Sequence, residues 1–323
     1  MLLASAAPLA SAEPLAFVPW QADFHMHLRS QAAFDAEAAT CASLEKNACK
    51  LNTEHQVRDA NDAIAALDEV GARKGVVLSM AYMYGSPFLA SQHYDVARMT
   101  RAENEWVAQQ VGAHPDRLVG FFGVDPLTSS APDEVRYWLR DGRLPGLKIH
   151  FANSEVSLRD PDQVKKIAAV VGLMGEKGRP INFHFSTGGD FGAQDTEIFI
   201  RDIMTHAGNS WVQMSHASGF GGTEKTLFRC LEVFAAHMQD NDPATRHVIF
   251  DLASVVLPPT TSEEAADLVA LMRKIGLSRF VVGSDYDGHT PKETDELDRQ
   301  KLPLSQQEWR SIVHNCVPWV CKK

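Results

Sequence analysis

The chain has 323 residues, 45% of them hydrophobic and 22% charged, with a formal net charge of −10. That length suits one large domain or two ordinary ones, and an α/β barrel reaches it as a single unit. The acidic balance, without any Lys/Arg-rich cluster, excludes nucleic acid as the main partner, and no apolar run approaches the ~20 residues needed for a membrane span; a small molecule is the expected partner.

The opening MLLASAAPLASAEP carries Ala10-Ser11-Ala12 before Glu13, the small-residue form of a signal-peptidase site, but it has no basic n-region and only a short apolar stretch. Residues 1–16 therefore read either as an export signal, which would place the protein in the periplasm or outside the cell, or as an unstructured extension on a cytoplasmic protein. The folded part is expected over 17–323 as a single domain.

The first strand is QADFHMHL, in which a period of two puts Asp23, His25 and His27 on one face and Ala22, Phe24, Met26 and Leu28 on the other. A long connection follows, from about 30 to 54, and reads as an insertion at the mouth of the domain. Helical spacing begins at Val57, Ile64, Leu67 and Val70. Seven further strand-like runs follow: GVVLSMAYM from Gly75, LVGFFGVDP from Leu118, GLKIHF from Gly146, INFHFS from Ile181, VQMSHAS from Val212, HVIFDLASVV from His247 and FVVGSDYDG from Phe280. Helical patterns intervene, as at Val164, Ile167, Val171 and Met174 and at Leu227, Leu231, Phe234 and Met238. Thr100 with Glu103, and Ser305 with Glu308, have the capping-box form at helix starts, and Pro180 precedes a strand. Eight strand–helix alternations favour a (β/α)8 TIM barrel over an open doubly wound sheet, and no GxGxxG follows an early strand.

Cys41 with Cys49 and Cys316 with Cys321 form close pairs that suit an oxidising compartment, with free thiols as the other reading; sequence does not fix the pairing. Cys230 reads as a small buried hydrophobe.

In such a barrel, chemistry is assembled at the C-terminal ends of the strands. Those ends carry His25 and His27, then Lys148 and His150, then His184, His216 and Asp285. Imidazoles and carboxylates suit zinc and related divalent ions, and three or four of them leave positions open for water and substrate.

DFHMH, GLKIH, NFHFS, SHASG and GSD, in that order over about 260 residues, resemble the amidohydrolase superfamily, in its amidohydrolase-related branch. The resemblance implies a distorted TIM barrel with one divalent metal, zinc expected and manganese or another ion open, bound by His25, His27, His184 and Asp285. It implies His216 and Asp285 as catalytic groups acting with a metal-activated water on a small ester, lactone or amide. Lys148 and His150 are left as contacts to an anionic substrate group or, if Lys148 is carbamylated as in some barrels of the superfamily, as part of a less favoured second metal site. The same branch contains non-oxidative decarboxylases, so a lyase is the alternative; a non-catalytic binding barrel is the third. Arg29, Tyr82, Tyr84 and Arg159 are candidate loop contacts to substrate, each with a salt-bridge or packing alternative. A homo-oligomer is left open.

Overall fold

The apolar runs form eight short strands: β1 (Ala22–Met26), β2 (Lys74–Leu78), β3 (Leu118–Gly123), β4 (Gly146–His150), β5 (Ile181–His184), β6 (Val212–Met214), β7 (Val248–Asp251) and β8 (Phe280–Val281). The computed structural model describes residues 15–43 and 56–321, so nearly all of the expected export signal, and Cys49, lie outside the described residues. Neighbouring strands are parallel and follow chain order. The first and last are joined where the Phe24 amide donates to the Val282 carbonyl (3.1 Å) and the Asp285 amide to the His25 carbonyl (2.8 Å). The result is a nearly closed (β/α)8 TIM barrel.

Ten α-helices are described: α1 (Gln31–Ser43), α2 (Ala60–Glu69), α3 (Val96–Gly112), α4 (Ala131–Asp141), α5 (Pro161–Gly175), α6 (Ala193–Asp202), α7 (Lys225–Gln239), α8 (Ser262–Ile275), α9 (Pro291–Lys301) and α10 (Gln306–Val313). Outward rows such as Leu147 and Ile149, or Ile181 and Phe183, join helix residues such as Ile167, Val171 and Phe199 in the main core, as expected for strands buried on both faces. A second cluster of Ala22, Phe24, Val76, Leu78, Phe121, Ile249 and Val281 is covered by Val317 and Val320 of the C-terminal segment. Cys316 and Cys321 are disulfide-bonded across that segment. Cys41 is also disulfide-bonded, and Cys230 is a buried free thiol.

Three local expectations change. In β1, Asp23 pairs with Gly75 but Met26 pairs with Val77, so one extra residue is bulged into the strand. The bulge breaks the alternation: Phe24 joins the cluster with Val281, while Met26 and Leu28 pack in the main core. Asp23 leaves the histidine face, since a side chain on its partner Gly75 would meet Met26 and Leu67 of α2. Thr100 and Glu103 lie inside α3, whose N-cap is Asp95; both are buried, and Glu103 accepts from the Ser30 hydroxyl (2.6 Å) instead of capping. Ser305 and Glu308 do form the capping box of α10. Finally, β2 stops at Leu78 and Ala81–Gly85 is a 3-10 turn, against which α1, in the connection after β1, packs through Ala33 and Ala36.

Candidate metal centre

The bulge delivers His25 to the barrel interior, and His27 follows at the strand's end. His27 Nδ1 lies 2.8 Å from the Leu78 carbonyl oxygen, which can only accept, so Nδ1 carries a proton and, in the neutral imidazole, Nε2 is a bare lone pair. His25 Nδ1 lies 3.2 Å from Asp251 Oδ2. Burial would raise the Asp251 carboxyl, but His25, His216 and Gln213 outweigh it and hold the group below its ordinary value. An ionised carboxylate can only accept, so the His25 proton also sits on Nδ1.

The two freed nitrogens face each other, Nε2 to Nε2, at 3.2 Å. Asp285 Oδ1 completes a triangle, 3.3 Å from His25 Nε2 and 3.5 Å from His27 Nε2. Three electron pairs converging without a proton between them repel one another unless a cation lies among them. Donors about 2.0–2.1 Å from a tetrahedrally bound ion stand roughly 3.4 Å apart, so the triangle fits a divalent metal. Asp285 is aimed there by a left-handed backbone (φ 63°), unusual for a residue with a side chain, and its Oδ2 accepts from the Ser254 hydroxyl (2.9 Å). Burial would raise its carboxyl, but His25, His216 and His27 hold it well below the usual carboxylate range.

Around the triangle stand more imidazoles. His216 lies in a tight turn after β6 where it, Ala217 and Ser218 are all left-handed (φ 53°, 49° and 70°). Its Nδ1 donates to the Ala253 carbonyl (2.7 Å), and its ring is 4.8 Å from both His25 and His184. His184 stacks on His150 at 3.8 Å and belongs to neither of the three-residue groups able to hold a metal among the described residues. Its buried Nε2 has no hydrogen-bond partner there. Burial lowers both His150 and His184 well below the ordinary imidazole value and brings Lys148 down to about 8. Both imidazoles are neutral near pH 7. Lys148 donates to Asn182 Oδ1 (2.8 Å) and Ser215 Oγ (3.2 Å).

The candidate substrate contacts are scattered. Tyr82 reaches the site, its ring 5.0 Å from His150. Tyr84, which shares a cluster with Tyr82, Ala33 and Leu89, packs its ring on Tyr94 at 5.7 Å. Arg29 is buried and holds Asp287 through two nitrogens (3.1 and 3.3 Å) and also Glu37. Arg159 pairs with Asp195 through two contacts of 3.2 Å. Sequence reasoning passed over Asp251, although it ends β7 as His150 and His184 end β4 and β5. It also passed over Phe220, exposed on the loop after β6 with its ring 5.4 Å from His184.

Residues 22–314 match the family model described as amidohydrolase, and the chain belongs to that family and is an enzyme. No curated protein matches it. Among solved structures it is similar to 5-carboxyvanillate decarboxylase from Sphingomonas paucimobilis (14% identity, TM-score 0.65, covering 92% of this chain and 97% of the other). It is also similar to a manganese-bound mutant of 5-carboxyvanillate decarboxylase from Novosphingobium aromaticivorans (13%, 0.65, 93% and 97%). A probable 2-pyrone-4,6-dicarboxylic acid hydrolase from Acinetobacter baumannii is a further likeness (16%, 0.55, 91% and 96%). At these identities the likeness is one of fold.

Proposed function

We propose that this amidohydrolase-family enzyme is a metal-dependent decarboxylase of small aromatic carboxylic acids, with hydrolysis of a small ester, lactone or amide at the same site as the second reading. The observation that carries the metal dependence is the triangle of His25 Nε2, His27 Nε2 and Asp285 Oδ1, with edges of 3.2–3.5 Å. His184, with its unpartnered Nε2, is the further donor. A divalent ion there supplies a positive charge that binds and polarises a substrate carboxylate or carbonyl oxygen. Manganese and zinc both suit this nitrogen and oxygen set, and manganese is the first choice because a structural neighbour binds it.

Two considerations favour decarboxylation. Several neighbours are decarboxylases of hydroxybenzoate-type acids. The wall of neutral His150, His184 and Tyr82, with Phe220 at the rim, is also a poor solvent for a carboxylate, whose charge disperses as carbon dioxide leaves. The carbon that loses carbon dioxide must take up a proton. His216 can hold or deliver one at Nε2, because its Nδ1 is committed to Ala253; Asp285, kept ionised, can accept one. The hydrolase neighbour supports the second reading.

Incubating manganese- and zinc-loaded protein with hydroxylated benzoates, and separately with esters, lactones and amides, distinguishes the readings. Carbon dioxide release with the decarboxylated arene as product is the expected result. Net addition of water without carbon dioxide would establish hydrolysis instead. The metal site itself fails if purified protein retains no divalent ion, or if His25→Ala/His27→Ala retains it equally. We also propose an oxidising compartment, supported by the Cys316–Cys321 bridge; the N-terminal residue of the protein recovered from its host tests this, with processing after Ala12 expected.

A further inference from the structure

We infer that Asp251 is a positioning residue that fixes the donor face of His25 and the place of His216; its bearing on metal binding rests on the site proposed above. The Asp251 carboxylate is fully buried at the end of β7 and takes four hydrogen bonds. Oδ2 accepts from Gln213 Nε2 (2.6 Å) and His25 Nδ1 (3.2 Å), and Oδ1 accepts from the backbone amides of His216 (2.9 Å) and Ala253 (3.3 Å). An oxygen of Asp251 lies within 4.8 Å of ring nitrogens of His25 and His216, close enough to form a second candidate metal group. Four donors occupy the roughly four lone-pair sites of a carboxylate, however, so Asp251 has none left for an ion. It acts one step behind the ligands.

What it does there follows from charge and geometry. As an acceptor it keeps the His25 proton on Nδ1 and turns the Nε2 lone pair towards His27 and Asp285, the arrangement in which a carboxylate orients a metal-binding imidazole. By holding the His216 amide it also anchors the left-handed turn that sets that ring 4.8 Å from His25. Gln213 Nε2 also donates to the Phe24 carbonyl (2.8 Å), so the network reaches the bulge that presents His25. One carboxylate thus aligns β1, the turn after β6, and β7.

Asparagine cannot replace it. Each carboxylate oxygen faces two donors, so either orientation of an amide turns its NH2 against two of them. If the NH2 faces His25, the imidazole is relieved by moving its proton to Nε2, which then points an N–H at His27 and closes the donor face. If it faces the backbone, the His216 turn is pushed away.

Imidazole nitrogen NMR of metal-free protein, combined with manganese titration, tests this. Wild type is expected to show His25 protonated on Nδ1. Asp251→Asn should shift the proton to Nε2 or displace the His216 resonances, and weaken manganese binding about 10–100-fold. A merely structural role would lower thermal stability without moving either signal. Unchanged ring resonances and affinity in a folded Asp251→Asn would overturn the proposal, as would wild-type His25 protonated on Nε2, a result independent of how the variant folds. Wild type that binds no manganese or zinc would instead defeat the metal-site reading, while the ring measurement still decides the part played by Asp251.

Discussion

At His27 and His25 the partner of Nδ1 decides what Nε2 can do: a carbonyl and a carboxylate each hold the proton on Nδ1 by accepting from it and, in the neutral ring, leave a lone pair at Nε2, 3.2 Å from its neighbour. Asp285 is the third corner and, in the proposed reaction, the proton acceptor, so Asp285→Asn keeps the size and loses both charge and basicity. Its turnover is expected to fall about 10²–10⁴-fold in steady-state kinetics, and a fall of less than tenfold would remove Asp285 from the chemistry. A different carboxyl, away from the triangle, contributes to the pH dependence of stability, as buried Asp23 and Asp125 also do. Burial pushes Glu103 from 4.5 up to about 7, against the hydrogen bonds from Ser30. A carboxyl raised on folding favours the folded state while protonated, so this contribution is full below about pH 4.5 and is lost as pH rises through about 7. Glu103→Gln has no charge to bury. Relative to wild type it should gain on the order of 3 kcal/mol between those limits, read as the difference between paired denaturant titrations; a difference constant with pH would contradict the assignment.

The elements show where a two-residue period succeeds and where it stops. It holds in β4 and β5, where Lys148 and Asn182 point inward between outward Leu147, Ile149, Ile181 and Phe183. It fails in β1, because an inserted residue shifts the register and sends Phe24 inward. It fails again after β6, where His216 sits in a left-handed turn; such a turn carries no periodic signal. Packed against the second cluster, Trp319 of the C-terminal segment lies 5.8 Å from Phe24 and 5.0 Å from Phe121. Trp319→Ala should cost about 3 kcal/mol, towards the lower end for aromatic truncations because the ring is only partly buried. A lowered urea midpoint with an unchanged slope checks this, and no shift would mean that the segment does not support the barrel.

For the molecule as a whole, an ion bound only by the folded state must stabilise it. Manganese at about one hundred times its Kd should add ~2.7 kcal/mol, seen as a rise in Tm that a chelator reverses. His25→Ala/His27→Ala should show no such rise; equal responses in the two proteins would place the ion elsewhere. The barrel, the order of its strands and the residue types at their ends were legible in sequence, because hydrophobic period and ligand chemistry are local properties written residue by residue. His25, His27 and Asp285 could be nominated that way, although Asp285 lies more than 250 residues from the histidines. Only the tertiary structure decided which nominees meet. It closed the three-atom triangle, set His184 beside His150 instead of within it, gave Arg29 to Asp287 and Arg159 to Asp195, and placed Asp251 behind His25. The physical reason is that register, bulges and left-handed turns arise from contacts between distant segments, which no local pattern in the sequence records.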